Sequence, residues 1–366
     1  MPKAAADRPI LLDLFCGCGG FTLGAHRAGF ETALSIDIDR NLTHSFTRNF
    51  SSAPLQIADI ASTSASTIRR AIPRSIDGII GGPPCQGFSA IGRQDAADPR
   101  RDLLTDFFRL VRDLRPKFFL MENVRGLGFA HNRHVLDCGI ALLPSTYKVI
   151  GPMLLSPADF GAATIRPRLF VYGFDSDRMA PMDATMFVGT SQPATVRDAI
   201  SDLADLTEIG TDSGGYDLWR SSADSERSRY AQSLRGRTQI VTGHKKTPHR
   251  PEISKRFASV KQGGKDEVGK HVRLSWKGQC PTLRAGTGAD RGSYQAVRPI
   301  HPSQHRVITV REAARLQGFP DGFRFHPTVW HSFRMIGNSV SPILAAALLS
   351  RIRAKLDVPI MSQAAE

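Results

Sequence analysis

One cysteine in this chain stands where chemistry is possible. Cys85 lies in Gly81-Gly82-Pro83-Pro84-Cys85-Gln86-Gly87-Phe88-Ser89, directly after the apolar run Ile76 to Ile80. Proline fixes φ and glycine admits close backbone approach, so such a turn holds a thiol in one place. The plain alternative is a small buried hydrophobe, which is what most free cysteines are. Other reactive groups end other apolar runs. Asp37 follows Thr32 to Ile36, Asp59 follows Leu55 to Ala58, and Glu122 follows Phe118 to Met121. A carboxylate at the carboxyl end of a buried strand is placed for chemistry, for a ligand's hydroxyls, or for a structural hydrogen bond. Arg166 and Arg168 share a loop that starts near Asp159.

The elements that must position these groups alternate. Arg8 to Phe15 reads as a buried strand and runs into Gly17-Cys18-Gly19-Gly20, then a helix that stops at Gly29. Strand, glycine turn and helix open a nucleotide-binding α/β unit, and an acid about 20 residues on is where such units hold ribose hydroxyls. Asn41 to Phe50 reads as a helix, Leu103 to Leu114 as an amphipathic helix broken by Pro116, and His131 to Leu143 as a third. Asp77 to Ile80, Phe118 to Met121, Tyr147 to Leu155 and Leu169 to Phe174 read as strands. The expected fold class is α/β, a Rossmann-like doubly wound mixed sheet, with a smaller loop-rich domain.

From about Asp175 to His305 the alternation stops. Lys245, Lys246, Arg250, Lys255, Arg256, Lys261, Lys265, Lys270 and Arg273 crowd one segment there, a composition that tracks phosphates. Thr309 and Glu312 form a capping-box pattern. Ser341-Pro342 opens an apolar helix, Ile343 to about Leu356, expected to pack back on the first domain.

Composition narrows the class. The 366 residues suffice for two domains, and 41% hydrophobic with 22% charged is globular. A net charge of +14 points to a polyanionic partner, nucleic acid first. The five cysteines make no Cys-x-x-Cys pair, so zinc is not expected, and their odd number suits a reducing cytosol. No apolar run reaches a membrane span and the start lacks a signal core, so a cytoplasmic protein is expected.

In order along the chain, Asp13-Leu14-Phe15-Cys16-Gly17-Cys18-Gly19-Gly20, Pro83-Pro84-Cys85-Gln86-Gly87-Phe88-Ser89, Glu122-Asn123-Val124, Arg166-Pro167-Arg168, Arg306 to Asp321, and Gly337-Asn338-Ser339-Val340 stand at the blocks of one family. The sequence resembles the DNA cytosine-5 methyltransferases, and the resemblance covers nearly the whole chain. It implies an S-adenosylmethionine-dependent enzyme that methylates carbon 5 of a flipped-out cytosine through covalent attack by Cys85. Glu122, Arg166 and Arg168 complete the implied catalytic set. Phe15, Gly17, Gly19, Asp37, Asp59, Ile60, Pro83, Asn338 and Ser339 would bind the cofactor, and Ser89 and Arg100 the DNA. The implied domains are a catalytic one over 1–175, a target-recognition one over 176–325, a segment returning to the first over 326–358, and a tail over 359–366. The implied setting is a bacterial restriction-modification pair with a cognate restriction endonuclease, a monomer acting on double-stranded DNA in the nucleoid.

Two departures from the family pattern stand out. Asp37 replaces the usual Glu, and Thr164 the usual Gln two residues before Arg166. Other readings are a tRNA cytosine-5 methyltransferase, although the RNA-acting members' Cys-Phe-Thr signature is missing, an inactive DNA-binding homologue, and an NAD-dependent dehydrogenase, which explains nothing about Cys85.

Overall fold

The computed structural model describes residues 8–84, 102–221, 227–236, 239–284 and 297–356. In chain order the elements of the first half are β1 (Ile10–Leu14), α1 (Gly20–Arg27), β2 (Glu31–Asp37), α2 (Phe46–Asn49), β3 (Leu55–Ile57), α3 (Ala65–Ala71), β4 (Gly78–Gly81), α4 (Asp102–Leu114), β5 (Phe118–Val124), α5 (Ala130–Ile140), β6 (Tyr147–Leu155), β7 (Thr164–Ile165) and β8 (Arg168–Asp175). Then follow α6 (Val196–Ile200), β9 (Thr207–Thr211), β10 (Asp217–Arg220), α7 (Arg229–Leu234), β11 (Ile240–Val241), α8 (Pro251–Ser259), β12 (Cys280–Pro281), α9 (Val310–Gln317), α10 (Val329–Asn338) and α11 (Pro342–Leu356). They fall into two compact units. The first holds Met1–Leu155, Pro167–Gly189 and Leu344–Glu366, the second Ser156–Arg166 and Thr190–Ile343.

The first unit is built on a seven-stranded sheet of order β3-β2-β1-β4-β5-β8-β6. Neighbours among β1 to β5 pair in parallel, and β8 runs antiparallel between β5 and β6. All five residues of β1 and all four of β4 are buried. Central parallel strands need both faces covered, so they read as unbroken apolar runs. The chain leaves β1 toward β3, then returns to place β4 on β1's other side. Ligands bind at such a switch point, outside the carboxyl ends of the strands. The Rossmann-like mixed α/β sheet expected from the sequence is therefore present.

Helix spacing explains the covering layer. Leu104, Phe107, Phe108, Leu110 and Val111 of α4 are all fully buried. In α11, Leu344, Ala345, Leu348, Leu349 and Ile352 are buried, and a side chain at Gly24 of α1 would collide with Ala345. The Arg353 guanidinium stacks 5.6 Å from the Phe30 ring centroid and donates to the Gly29 carbonyl. Among the described residues one apolar helical stretch, Val329–Leu356, is long enough to cross a membrane, but it is interrupted at Ser339–Ser341 and mostly buried. One expected helix is much shorter than Asn41 to Phe50: only Phe46–Asn49 is helical. Asp39 Oδ1 instead accepts from the N–H groups of Asn41 and Leu42 at 2.9 and 3.1 Å, a local turn that competes with helix.

The second unit has more regular structure than its composition suggests. It holds a three-stranded antiparallel sheet, β11-β10-β9, and a short parallel pair, β12-β7. Buried arginines organise its interior. Arg315 is 1% exposed and meets Asp202 at 3.2 Å and Asp321 at 2.7 Å. Arg311, 0% exposed, donates to the carbonyls of Thr242, Pro320 and Phe323. The expected capping box is present, with Thr309 and Glu312 each bonding the other's backbone N–H.

All three tryptophans belong to this unit, and two report on buried histidines. Trp219 lies edge-on to His244 at 5.1 Å and Trp276 to His301 at 5.4 Å. Burial pushes both imidazoles down from 6.5 to about 4, more strongly than the neighbouring Glu312 carboxylate holds them up. The unfolded chain therefore binds more protons than the folded one between these values. The stability these histidines give the second unit is complete above about pH 6.5 and falls as pH drops toward 4, by on the order of 3 kcal/mol per histidine. Urea unfolding followed by tryptophan fluorescence should show this acid limb, and a curve flat from pH 7 to 4.5 refutes it.

Candidate active site

Register places four features side by side on one sheet edge. Leu14 of β1 pairs with Ile36 of β2 and Gly81 of β4, and Gly81 pairs with Met121 of β5. The next residue on each strand or turn is Phe15, Asp37, Gly82 and Glu122. Neighbouring strands are about 4.8 Å apart, so this row is a continuous ledge along the carboxyl edge.

At one end of the ledge sits Glu122, 9% exposed. Its carboxylate meets Arg168 Nε at 3.0 Å. The antiparallel pairing of β5 and β8 sets this up, since Val124 stands opposite Arg168 and Glu122 opposite Phe170. A side chain at Gly82 would sit 3.1 Å from Glu122 Oε2, so only glycine lets the carboxylate lie on that backbone without displacement. Next to it, Asn123 Nδ2 donates to the Pro83 carbonyl at 3.2 Å, and Asn123 Oδ1 accepts from the Val124 N–H at 2.8 Å. The Glu-Asn pair is thus tied to the Pro-Pro segment by its own hydrogen bond. Cys85 follows Pro84 directly in the chain. Cys85, Ser89 and Arg100 lie outside the described residues, as do 359–366 and the turn Gly286 to Gly292.

At the other end are the residues expected to hold a nucleoside. Phe15 has φ +59, an unusual left-handed value for a bulky side chain, and Gly17 has φ +53 with open space where a side chain would go. Helix α1 starts behind them with Gly19 as N-cap and no side-chain cap, and the Thr22 N–H in its first turn is turned to the Asp13 carboxylate. Asp37 Oδ2 accepts from the Gly17 N–H and Oδ1 from the Asp39 N–H, both at 2.8 Å. Burial raises its pKa, and the two N–H donors oppose that rise. Beneath the turn, burial pushes the Asp13 carboxyl up to about 7, while the Thr22 hydroxyl donates to it at 2.6 Å.

Asp59 is exposed and its Oδ1 accepts from the Ala61 N–H at 3.0 Å. The Ile60 side chain is 2% exposed inside the main core, so it offers a ligand only backbone. Sequence reasoning passed over Ile38. It is 64% exposed beside Asp37, the most exposed large apolar side chain among the described residues. Its signal was an isoleucine between two acids just past a strand end, where nothing requires an apolar residue.

The remaining predicted residues lie in the second unit. Arg166 is 2% exposed and donates to the Leu283 carbonyl at 2.8 Å and to the Gly337 carbonyl. Thr164, which stands where the resembled family has Gln, is fully buried and its hydroxyl donates to the Cys280 carbonyl at 3.0 Å. Asn338 ends α10 with an exposed side chain, and Ser339 is buried. In the basic segment Lys245, Lys246, Arg250, Lys255, Lys261, Lys265 and Lys270 are exposed. Two expected phosphate-tracking cations are committed elsewhere. Arg273, 5% exposed, bonds the carbonyls of His301, Pro302 and Phe257, and Arg256 pairs with Asp266 at 2.9 Å.

Comparison with known proteins identifies the family. Residues 10–354 match the C-5 cytosine-specific DNA methylase family. The chain is 38% identical to the type II methyltransferase M.XorII of Xanthomonas oryzae, over 94% of this chain and 84% of that one. It is 31% identical to the type II methyltransferase M.DdeI of Desulfomicrobium norvegicum, over 93% and 88% respectively. A crystal structure from E. coli, assigned as a DNA modification methyltransferase encoded within a prophage, superposes with a TM-score of 0.83 at 36% identity, over 96% of this chain and all of that one. The Dnmt2 methyltransferase of S. pombe shares the fold, with a TM-score of 0.62 at 18% identity, over 95% of this chain and 99% of that one. This chain belongs to the C-5 cytosine-specific DNA methylase family and is a DNA (cytosine-5-)-methyltransferase.

Proposed function

We propose that the chain transfers a methyl group from S-adenosylmethionine to carbon 5 of an extrahelical cytosine in duplex DNA, by way of a covalent adduct with Cys85. The observation that carries this is the Glu122 cluster. A buried carboxylate held by Arg168 is hydrogen-bonded, through its neighbour Asn123, to the segment that delivers Cys85.

Each step has a residue. The Cys85 thiolate adds to carbon 6, forming a carbon–sulfur bond and breaking the ring's aromaticity. Glu122 takes up a proton as the base enters beside it, gives that proton to ring nitrogen 3 as the thiolate adds, and returns to the carboxylate that Arg168 holds. Carbon 5 is now enamine-like and nucleophilic. S-adenosylmethionine, when bound, supplies an electrophilic methyl group. Loss of the carbon 5 proton to water, with return of the nitrogen 3 proton to the Glu122 carboxylate, then expels the thiolate and restores the aromatic ring. A base inside the helix is out of reach, so flipping it, at a few kcal/mol, comes first.

The residues fit this cofactor. Gly17 leaves room for it, the positive N-terminal end of α1 suits its carboxylate, and Asp37 retains lone pairs for ribose hydroxyls. Ile38 offers an apolar surface for adenine, a role that falls to it rather than to the buried Ile60. Phe15, Gly19, Asp59, Pro83, Asn338 and Ser339 are the further cofactor residues. Ser89, Arg100 and the exposed lysines of the second unit contact the DNA backbone, and that unit selects the target. The setting is a cytoplasmic restriction-modification pair with a cognate nuclease.

Tritium transfer from methyl-labelled S-adenosylmethionine to duplex DNA, with bisulfite sequencing of the product, tests the reading. Label found only in tRNA, or no label in either, overturns it.

A further inference from the structure

Buried arginines need carbonyls, and the choice of carbonyl tells what Arg166 does. We propose that Arg166 is a positioning residue: together with Gln317 it holds the Gly337–Ser341 turn in the shape that presents Asn338, and it does not touch the base. This rests on the reading above that Asn338 takes part in S-adenosylmethionine binding.

Two side chains converge on that turn, and two of its own serines bond in return. The Arg166 guanidinium donates to the Gly337 carbonyl and, at 2.8 Å, to the Leu283 carbonyl. Gly337 lies in the last turn of α10, whose carbonyls have no helical partners and favour a cation. Gln317, 0% exposed, donates from Nε2 to the Ser339 carbonyl at 3.3 Å. The Ser341 hydroxyl returns a bond to the Gln317 carbonyl at 2.9 Å, and the Ser339 hydroxyl donates to Val340. Gly337, Ser339, Val340 and Ser341 are all buried, and Asn338 alone in the turn is exposed. The backbone on both sides of Asn338 is therefore fixed while its amide points to solvent.

Arg166 is itself fixed. Thr164 and Ile165 pair with Cys280 and Pro281, and the Thr164 and Thr282 hydroxyls bond across that pair. A planar fork can bridge two carbonyls that a single ammonium cannot. The substitution of Thr for Gln at 164 fits this account, because the short hydroxyl closes on Cys280 and leaves the fork to carry the turn.

The test is a double-mutant cycle on the full-length chain, read by calorimetric titration with S-adenosylmethionine and by kcat at saturating cofactor. Arg166→Lys is expected to weaken S-adenosylmethionine binding about tenfold and to lower kcat less than about threefold. Asn338→Ala should weaken binding similarly. The double variant should bind within about twofold of Asn338→Ala alone, because Arg166 acts through Asn338. Gln317→Ala loosens the same turn without touching Arg166 and should reproduce the pattern, which covers a misfolded Arg166→Lys.

Unchanged binding with a large fall in kcat puts Arg166 at the base and overturns the proposal, as does full additivity with Asn338→Ala. A parent chain that does not bind S-adenosylmethionine overturns the cofactor reading and this proposal with it. Intact binding that ignores both Arg166 and Gln317 overturns this proposal alone.

Discussion

Cys85→Ser is expected to lower methyl transfer to duplex DNA by at least about 10³-fold, or about 4 kcal/mol, and to leave S-adenosylmethionine binding within about twofold. A hydroxyl is a far weaker nucleophile than a thiolate near neutral pH, and no adjacent base is proposed to activate it. The other cysteines cannot substitute. Cys16, Cys18 and Cys280 are buried, and burial pushes the thiols of Cys16 and Cys280 well up. Cys138 is exposed, but on α5, away from the strand ends that form the ledge. Duplex DNA containing 5-fluorocytosine adds a second readout, because its carbon 5 cannot lose a proton. It should trap a covalent adduct with the parent chain and none with Cys85→Ser. An adduct or more than a tenth of parental activity in the variant removes Cys85 as the nucleophile.

Glu122→Gln is expected to lower kcat by about 10² to 10⁴, the usual range for a lost general acid. The amide keeps the size of the side chain and an oxygen for Arg168 Nε, now 3.0 Å from the carboxylate, but it has no proton to give. Losing the charge of a mostly buried pair should cost folding only about 1 to 2 kcal/mol, because the hydrogen bond survives in neutral form. Comparing kcat with the urea midpoint separates the two effects. A variant with full kcat denies Glu122 its role as an acid, whatever its stability.

The sequence alone determined most of the first unit. Apolar runs such as Phe118–Met121, and Ile10–Leu14 with only Asp13 inside it, are what doubly covered parallel strands require, and glycines and acids at their ends marked the binding edge. Capping and periodicity are local properties, so Thr309–Glu312 and the buried stripe of Leu103 to Leu114 were legible too. The order of the motif blocks identified the family.

What tertiary structure decided is where long polar side chains spend their hydrogen bonds. Arg166, Arg273 and Arg311 carry the same charge as Lys245 or Arg250. Yet the first three are buried on backbone carbonyls and the others lie in solvent. Nothing local separates them, because a guanidinium suits a phosphate and a cluster of orphan carbonyls equally well. Burial of His244 and His301, exposure of Ile38, and the shortening of the Asn41 helix by Asp39 are of the same kind. Each depends on which neighbours arrive from distant sequence, or on a competition between side chain and backbone that composition does not encode. The Pro-Pro-Cys motif named a thiol, and only the packed sheet supplied the Asn123 bond and the Arg168-held carboxylate at the Pro83 segment that precedes it.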